Sequence, residues 1–164
     1  MAAYNASITS AQAALIERAP LFFVASADPR LAKGPNGEGP VNISPKGGVR
    51  LHILTPNRVA YLDRRGSGNE TARHALSGGL VTLMACSFEE RDAAIVRLYG
   101  TARILPLECS AIAAKETGAA AQWPSRQVVE IDVHTAATSC GYGVPVMSFV
   151  RERRRDDRGR RYKE

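Results

Sequence analysis

The clearest structural signal in the sequence is the stretch Ile95–Leu105, which reads IVRLYGTARIL. Apolar side chains such as Val96 and Leu98 alternate in it with Arg97 and Tyr99. Because successive side chains of a strand point to opposite faces of a sheet, this alternation predicts a strand with one buried and one exposed face. Such a strand needs neighbours to pair with, and the rest of the chain supplies them.

Six further segments have the apolar or alternating character of strands. They are Leu21–Ala27, Val41–Ser44, Val49–Thr55, Arg58–Asp63, Leu80–Ser87 and Gln127–Val133. Pro45–Gly48 predicts a turn between the second and the third of them, since proline and glycine favour turns. Asp28–Pro40 holds three prolines and three glycines, which predicts a loop.

Helices are few in this pattern. A short helix is predicted at Ser10–Arg18. A second is predicted at Ser67–Ser77, where Ser67 as N-cap and Glu70 three residues later match a capping box. A third is predicted around Glu108–Glu116.

The fold class follows from the order of these elements. About seven strands are joined by short connections, and no strand–helix–strand rhythm supports a parallel sheet. The sequence therefore predicts a mostly β protein with peripheral helices, whose antiparallel strands close or nearly close into a small barrel. A chain of 164 residues suits one domain, which we place at residues 1–150, followed by a basic tail at 151–164.

Composition narrows the function classes. The net charge is +6, but the last fourteen residues hold eight Lys or Arg and four Asp or Glu, so most of the surplus lies in the tail. No aromatic residues are interleaved with these arginines, which argues against a nucleic-acid partner. The chain has no long apolar run and no secretory pattern at its N-terminus, so we expect a cytoplasmic protein that does not span a membrane. Three scattered cysteines without a Cys-x-x-Cys pair predict reduced, buried thiols and no metal site.

Asn42, Ser44 and Lys46 form a polar row on one predicted strand. Their spacing of two residues places all three side chains on the same face. The row is either an exposed barrel face or the lining of a polar ligand site, with Lys46 as its cation. The sequence alone leaves both interpretations open.

A second polar stretch runs from Ser67 to Thr71, between glycines and just after Arg64 and Arg65. Its backbone and side-chain donors could bind a phosphate, with the two arginines as charge partners. The capping box explains the same residues without any ligand. The histidines, His52, His74 and His134, form no catalytic or metal-binding pattern, and no side chain stands out as a catalytic acid or base.

The order of several short segments gives a resemblance to a known family. These segments are Leu21–Ala25, Val41–Gly47, Tyr61–Thr71, Leu83–Phe88, Arg97–Gly100 and Ser139–Pro145. In this order they resemble the pyridoxamine 5'-phosphate oxidase-related proteins, and the resemblance extends over Phe22–Phe149. It implies a six- to seven-stranded split β-barrel, a homodimer, and flavin mononucleotide (FMN) bound at the subunit interface.

The resemblance also implies roles for residues of the two polar stretches. Carried over by position, Asn42, Ser44 and Lys46 approach the flavin ring edge and its ribityl phosphate. The remaining positions supply phosphate donors or charge partners: Arg64, Arg65, Ser67, Asn69 and Thr71.

Three departures from the family pattern bear on the reaction. The chain lacks the arginine-rich strand, the Ser-Arg-Lys loop and the C-terminal Arg-x-His element of the oxidases that act on vitamin B6, which argues against that activity. The expected function is a flavin-dependent oxidoreductase acting on an unidentified small molecule. The alternative is a protein that binds or carries a flavin, a deazaflavin or haem without catalysis.

Overall fold

The computed structural model describes residues 2–66, 68–113 and 124–153 of the chain. Eight strands and two α-helices make up the regular structure of these ranges. The strands are β1 (Ala3–Asn5), β2 (Leu21–Ala27), β3 (Val41–Gly47), β4 (His52–Thr55), β5 (Arg58–Arg64), β6 (Leu80–Cys86), β7 (Ala94–Leu105) and β8 (Ser125–Cys140). The helices are α1 (Ser10–Arg18) and α2 (Glu70–Leu76), and one 3-10 turn covers Leu107–Cys109.

All strand pairs of the sheet are antiparallel, in the order β3-β2-β6-β7-β8-β5-β4. β1 pairs with the end of β8 that β5 does not use. β3 and β4 stand at the two ends of this order, so within the described part of the chain the sheet curls without closing. The predicted fold class, a mostly β split barrel with peripheral helices, is confirmed.

β8 is the longest strand and organises the sheet. It runs from Ser125 to Cys140, well past the predicted end at Val133, and pairs with β7 on one side and with β5 and β1 on the other. A register shift in the β7–β8 ladder falls between Tyr99 and Gly100. A Cβ atom on Gly100 would collide with the carbonyl oxygen of Asp132, so the close approach of the two backbones requires glycine there.

The core lies on the inner face of the curled sheet and is closed by α1. It contains alternate residues of the strands, among them Val24, Val59, Leu83, Leu98 and Ile131, each at most 1% exposed. Since side chains alternate between the faces of a strand, the same strands keep a second, partly exposed face. On β3 the residues of this outer face are exposed.

Strand β3 extends further than the sequence predicts. The sequence predicts a turn at Pro45–Gly48, but the strand continues through Pro45 and Lys46 to Gly47. Proline lacks an N–H donor and fits a strand only where that donor is not needed, and β3 is an edge strand. The turn begins later, at Gly48, whose φ of 64° favours glycine.

The helices hold two further corrections. α1 lies where it was predicted, and a capping box between Thr9 and Gln12 begins it. α2 begins at Glu70 with Asn69 as its N-cap, so the predicted capping box that makes Glu70 the third helical residue is wrong. The helix predicted around Glu108–Glu116 is not found in the described part of that segment, where the 3-10 turn Leu107–Cys109 is followed by a turn and Ala113 is again in a 3-10 conformation. The rest of that segment and the end of the basic tail lie outside the described residues.

The cysteines are unpaired, but the prediction that all are buried is wrong. Cys86 is buried, whereas Cys109 and Cys140 are exposed. Among the described residues, no helix combines the length and apolar character that crossing a membrane requires.

Candidate functional site

A polar cleft of about 390 Å³ opens where edge strand β3 faces the end of β5 and the start of α2. Its lining is rich in charged and hydrogen-bonding side chains. Residues that line it are Asn42, Ser44, Pro45, Lys46, Asp63, Arg64, Gly66, Gly68, Asn69, Glu70, Thr71 and Arg126. Strand β3, at one end of the sheet, and strand β5, next to the other end, thus line the same cavity.

The predicted polar row lies on the inner face of β3. Lys46, Ser44 and Asn42 stand directly opposite residues of β2 whose side chains point into the core: Phe22, Val24 and Ser26. Opposite residues of an antiparallel pair share a face. The row therefore lines the cleft and does not lie on an outer, solvent-facing surface, while the polar ligand suggested for it stays a prediction.

The two predicted polar stretches meet at Asn42. Its Nδ2 atom lies 3.1 Å from Ser44 Oγ and 3.4 Å from Thr71 Oγ1. Thr71 belongs to the first turn of α2 and is buried. Segments that are far apart in sequence thus contribute a continuous set of amide and hydroxyl groups to the cleft.

Asp63 is the centre of charge in the cleft, and sequence reasoning did not single it out. Its side chain is 6% exposed and accepts hydrogen bonds from three side chains. Lys46 Nζ lies 3.0 Å from Oδ1, Arg126 Nε lies 2.7 Å from Oδ2, and Gln127 Nε2 lies 2.9 Å from Oδ2. The Lys46–Asp63 ion pair bridges the opening of the barrel, because β3 and β5 are not neighbours in the sheet.

Burial and the surrounding charges act in opposite directions on Asp63. Burial alone would raise the pKa of its carboxyl group, but the positive charge of Lys46 and hydrogen bonds from Arg126, Lys46 and Gln127 outweigh it. The net result is a pKa below the usual value for aspartate. The carboxylate is therefore ionised at neutral pH and holds both cations in place.

A β-bulge explains how Arg126 and Gln127, which are adjacent in sequence, reach the same carboxylate. Asp63 pairs with Gln127, but Arg64 pairs with Ser125, so Arg126 is an extra residue in β8. Adjacent residues of a regular strand point to opposite faces, and a bulge redirects one of them. Arg126 also donates to the carbonyl oxygen of Gly68 at 2.6 Å, which ties the loop before α2 to β8.

The other predicted site residues are only partly brought together. Arg64 lines the cleft and donates to the carbonyl oxygen of Gly48. Asn69 lines it from an exposed position and accepts from Gln127 at 2.9 Å. Arg65 is exposed and is not part of the lining. Ser67 lies outside the described residues.

Tyr61 lies beneath the charged centre. Its ring is fully buried, packs edge-on against Phe22 at 5.4 Å, and carries Lys46 Nζ at 5.6 Å from its centroid. Among the described residues its hydroxyl has no hydrogen-bond partner. Burial and, to a smaller extent, the charge of Asp63 raise its pKa far above the usual value, so the phenol stays neutral.

A second, larger cleft adjoins the polar one. It has a volume of about 990 Å³ and lies between the β2–β3 edge and the segment after β8. Its apolar lining residues are Pro20, Leu21, Phe23, Pro45, Phe88, Met147, Phe149 and Val150. Pro45 and Arg64 line both clefts, so the two clefts adjoin at these residues, with the polar cleft on the inner face of β3 and the apolar cleft on the outer face that carries Pro45 and Phe23.

A buried histidine anchors α2 behind the polar cleft. His74 Nε2 lies 3.0 Å from an Arg73 nitrogen, and Nδ1 lies 2.9 Å from Ser26 Oγ. Because arginine only donates, Nε2 must accept, which leaves the proton on Nδ1 for Ser26 and makes the ring neutral. Burial, and then the charge of Arg73, lower the pKa of His74. Both ring nitrogens of His74 therefore have hydrogen-bond partners within the core.

The sequence match to a curated relative covers most of the chain. The chain is 36% identical over 137 residues to the pyridoxamine 5'-phosphate oxidase family protein ustO of Aspergillus flavus. The match covers 81% of this chain and 52% of the relative, so the chain spans about half the length of that protein. No protein-family model matches the chain.

Solved structures show the same fold. A pyridoxamine 5'-phosphate oxidase-related, FMN-binding protein of Nostoc punctiforme has a TM-score of 0.52 and 13% identity, covering 86% of this chain and 89% of its own. An FAD-binding protein of Mycobacterium smegmatis also has a TM-score of 0.52 and 13% identity, covering 82% of this chain and 97% of its own. At these identities the likeness concerns the fold alone.

The open antiparallel sheet and the polar cleft at its edge define a split-barrel protein. Together with the sequence match they identify the family. The chain belongs to the pyridoxamine 5'-phosphate oxidase-related proteins, as the order of its strand segments predicts.

Proposed function

We propose that the protein binds FMN across the two adjoining clefts and carries out redox chemistry on a small molecule. The observation that carries this proposal is the shared wall at Pro45 and Arg64, which joins a cation-lined polar cleft to a larger apolar one. FMN has the same division, with a phosphate at one end and a planar ring system at the other.

The donor set of the polar cleft fits a phosphate. Three cationic side chains of the described residues line it, together with hydroxyl and amide groups, and phosphates in proteins are bound by such donors. The residues that would hold the phosphate are Lys46, Arg64, Arg126, Ser44, Thr71 and Asn42. Asn69 and Ser67 stay predicted contributors, whereas the exposed position of Arg65 gives it no part in the proposal.

The protein's own contribution would be binding and orientation. A bound flavin supplies the electron-transfer chemistry. Lys46 and Arg126 fix the phosphate end, and the apolar wall around Phe23 and Pro45 excludes water from the ring. Asp63 stays ionised at neutral pH because its cation partners lower its pKa, so its role is to position these cations and not to donate protons.

The comparisons support a flavin. The two solved structures are named as FMN-binding and FAD-binding proteins, and both have the fold of this chain. The chain also lacks the arginine-rich elements expected of enzymes that oxidise vitamin B6, so a different small-molecule substrate is proposed.

A homodimer is part of the proposal. On the outer face of β3, Val41 is 66% exposed and Ile43 is 65% exposed. The segment after β8 adds Phe149 and Val150, also largely exposed. Large apolar side chains exposed on an edge strand and on the segment beside it are typical of an interaction surface. A second copy would cover it and complete the wall of the apolar cleft.

The test begins with the purified protein. The proposal predicts yellow protein with flavin absorbance, or colourless protein that quenches FMN fluorescence at an equimolar endpoint. Protein that neither co-purifies with a flavin nor binds added FMN would show the proposal to be wrong.

One observation favours the alternative of a non-catalytic flavin-binding protein. The buried carboxylate of Asp63 holds two of the three described cations in ion pairs, so these groups serve the structure of the cleft. Reduction of the bound flavin by a nicotinamide cofactor, followed by reoxidation, would support the oxidoreductase. Bound flavin that undergoes neither step would support the carrier.

A further inference from the structure

The charges around the polar cleft are nearly balanced. Lys46, Arg64 and Arg126 supply three positive charges, and Asp63 and Glu70 supply two negative ones. The described lining therefore has a surplus of one positive charge. A phosphate monoester carries between about one and a half and two negative charges near neutral pH, which exceeds this surplus.

Two of the cations are already engaged. Asp63 binds Lys46 at 3.0 Å and Arg126 at 2.7 Å, and it is almost fully buried. An incoming anion cannot displace this carboxylate without exposing or unpairing it, which is costly for a buried charge. An anion in the cleft would therefore bind beside the Asp63 carboxylate and be repelled by its negative charge.

Glu70 is the second carboxylate, and its position is distinctive. Its carboxylate group packs directly against Gly68, where a Cβ atom would collide with it. The absence of a side chain at residue 68 thus leaves room for the carboxylate at the cleft wall. Unlike Asp63, Glu70 is partly exposed, so it can be changed without removing a buried ion pair.

We propose that the polar cleft selects an anionic group with a single negative charge, and that Glu70 sets this preference. The inference rests on the proposed function, because it assigns the phosphate of a flavin to this cleft. The first charge of a phosphate is matched by the surplus of the cleft, whereas the second faces Glu70. Like charges that line the same partly screened cleft repel each other.

The first experiment uses inorganic phosphate alone, so that it does not depend on flavin binding. Phosphate is titrated by calorimetry at constant ionic strength into the wild type, Glu70→Gln and the control Glu17→Gln. Glu17 is exposed on α1 and belongs to none of the clefts. The glutamine introduced by Glu70→Gln keeps the size that fits against Gly68 and removes only the charge.

The expected result is a gain in phosphate affinity that depends on pH. At about pH 8, where phosphate is mostly a dianion, Glu70→Gln binds it roughly three- to fivefold more tightly than the wild type, in the range of exposed charge pairs. At about pH 5.5, where phosphate is a monoanion, the gain falls below about twofold. Glu17→Gln matches the wild type at both pH values.

Two results would overturn the inference. One is equal phosphate affinity of Glu70→Gln and the wild type at the higher pH. The other is the absence of any phosphate binding by either protein, whether or not flavins bind. Melting curves of both variants show whether the fold is kept.

A parallel titration with riboflavin and FMN separates this inference from the proposed function. If both hold, Glu70→Gln tightens FMN binding and leaves riboflavin, which has no phosphate, unchanged. If no flavin binds but phosphate shows the expected gain, the proposed function fails and the charge selection stands. If FMN binds equally to both proteins, the proposed function stands and the role of Glu70 is wrong.

Discussion

The Nε atom of Arg126 lies 2.7 Å from Oδ2 of Asp63, although the two residues are 63 positions apart in the chain. The same oxygen accepts from Gln127, the next residue, because the bulge in β8 turns both side chains toward it. Lys46 reaches the other oxygen from the far edge of the sheet. One buried carboxylate therefore joins three strands and holds two of the three cations of the described cleft lining.

Replacing Asp63 tests this arrangement. Asp63→Asn removes the negative charge and leaves Lys46 and Arg126 close together without a counter-ion. Loss of one partner of a buried ion pair costs about 3 kcal/mol, so we expect a drop of that size in the free energy of unfolding. Chemical denaturation of wild type and variant at neutral pH measures it.

The matched control is Asp132→Asn, because Asp132 also faces two arginines but is more exposed. Its side chain is 37% exposed and lies 2.9 Å from Arg58 and 3.5 Å from Arg103. Exposed ion pairs contribute less than about 1 kcal/mol, so the control should lose little stability. Equal losses for the two variants would contradict a special role for Asp63.

Acid should remove the contribution of the Asp63 carboxylate to the free energy of unfolding. Its pKa is lowered in the folded protein, so the folded state binds its proton less readily than the unfolded state does. The contribution of Asp63 to the free energy of unfolding is fully present above about pH 4, the pKa of an aspartate in the unfolded chain. It is lost as the pH falls through the lower pKa that Asp63 has in the folded protein. The stability difference between wild type and Asp63→Asn should therefore shrink below about pH 4. A constant difference down to the acid transition would contradict it.

The lowered pKa of His74 predicts that the free energy of unfolding also depends on pH in a higher range. Burial and Arg73 lower its pKa in the folded state, so below about pH 6.5 the unfolded state binds the proton more strongly. The free energy of unfolding should be constant above this pH and fall as the pH drops toward about 5. The negative charges of Asp28 and Glu70 act in the opposite direction on the pKa of His74 and moderate the fall.

The variant His74→Gln isolates this effect. It should be less stable than the wild type at neutral pH, since the bonds to Ser26 and Arg73 change, but its stability should vary less between about pH 6.5 and 5. His134→Gln, at an exposed position, should keep the wild-type profile. A wild-type profile in His74→Gln would assign the pH dependence to another group.

The proposed dimer predicts the effect of a charge on β3. Ile43→Glu places a carboxylate on the apolar outer face and should convert a dimer into a monomer in light-scattering measurements. Leu76→Glu is the control, because Leu76 is 76% exposed at the end of α2 and away from that face. A dimer that survives Ile43→Glu, or a wild-type monomer, would contradict the proposed interface.

The strands were predictable from sequence because their signal is local. Alternation identified Ile95–Leu105, which is close to the β7 that the structure shows. The polar row Asn42, Ser44 and Lys46 was also predictable, since a spacing of two fixes a common face. Pro45 misled the prediction because proline usually marks a turn, and only the edge position of β3 makes it compatible with a strand.

The charged centre was not predictable, because its signal is not local. The separation between Asp63 and its partners Arg126 and Gln127 leaves no sequence pattern, and the bulge that aligns them depends on the β5–β8 register. The helix start at Glu70 shows a related limit. A capping-box pattern was present at Ser67, but the loop held by Arg126 through Gly68 leads the helix to begin at Glu70.

The affinity of the protein for FMN relative to riboflavin shows whether the polar cleft holds the phosphate of a flavin. We expect FMN to bind more tightly than riboflavin, and we expect Lys46→Met to weaken FMN binding by about tenfold or more while riboflavin binding changes little, because only FMN has the charged group. Equal affinities for FMN and riboflavin in the wild type, or equal losses for both in Lys46→Met, would contradict it.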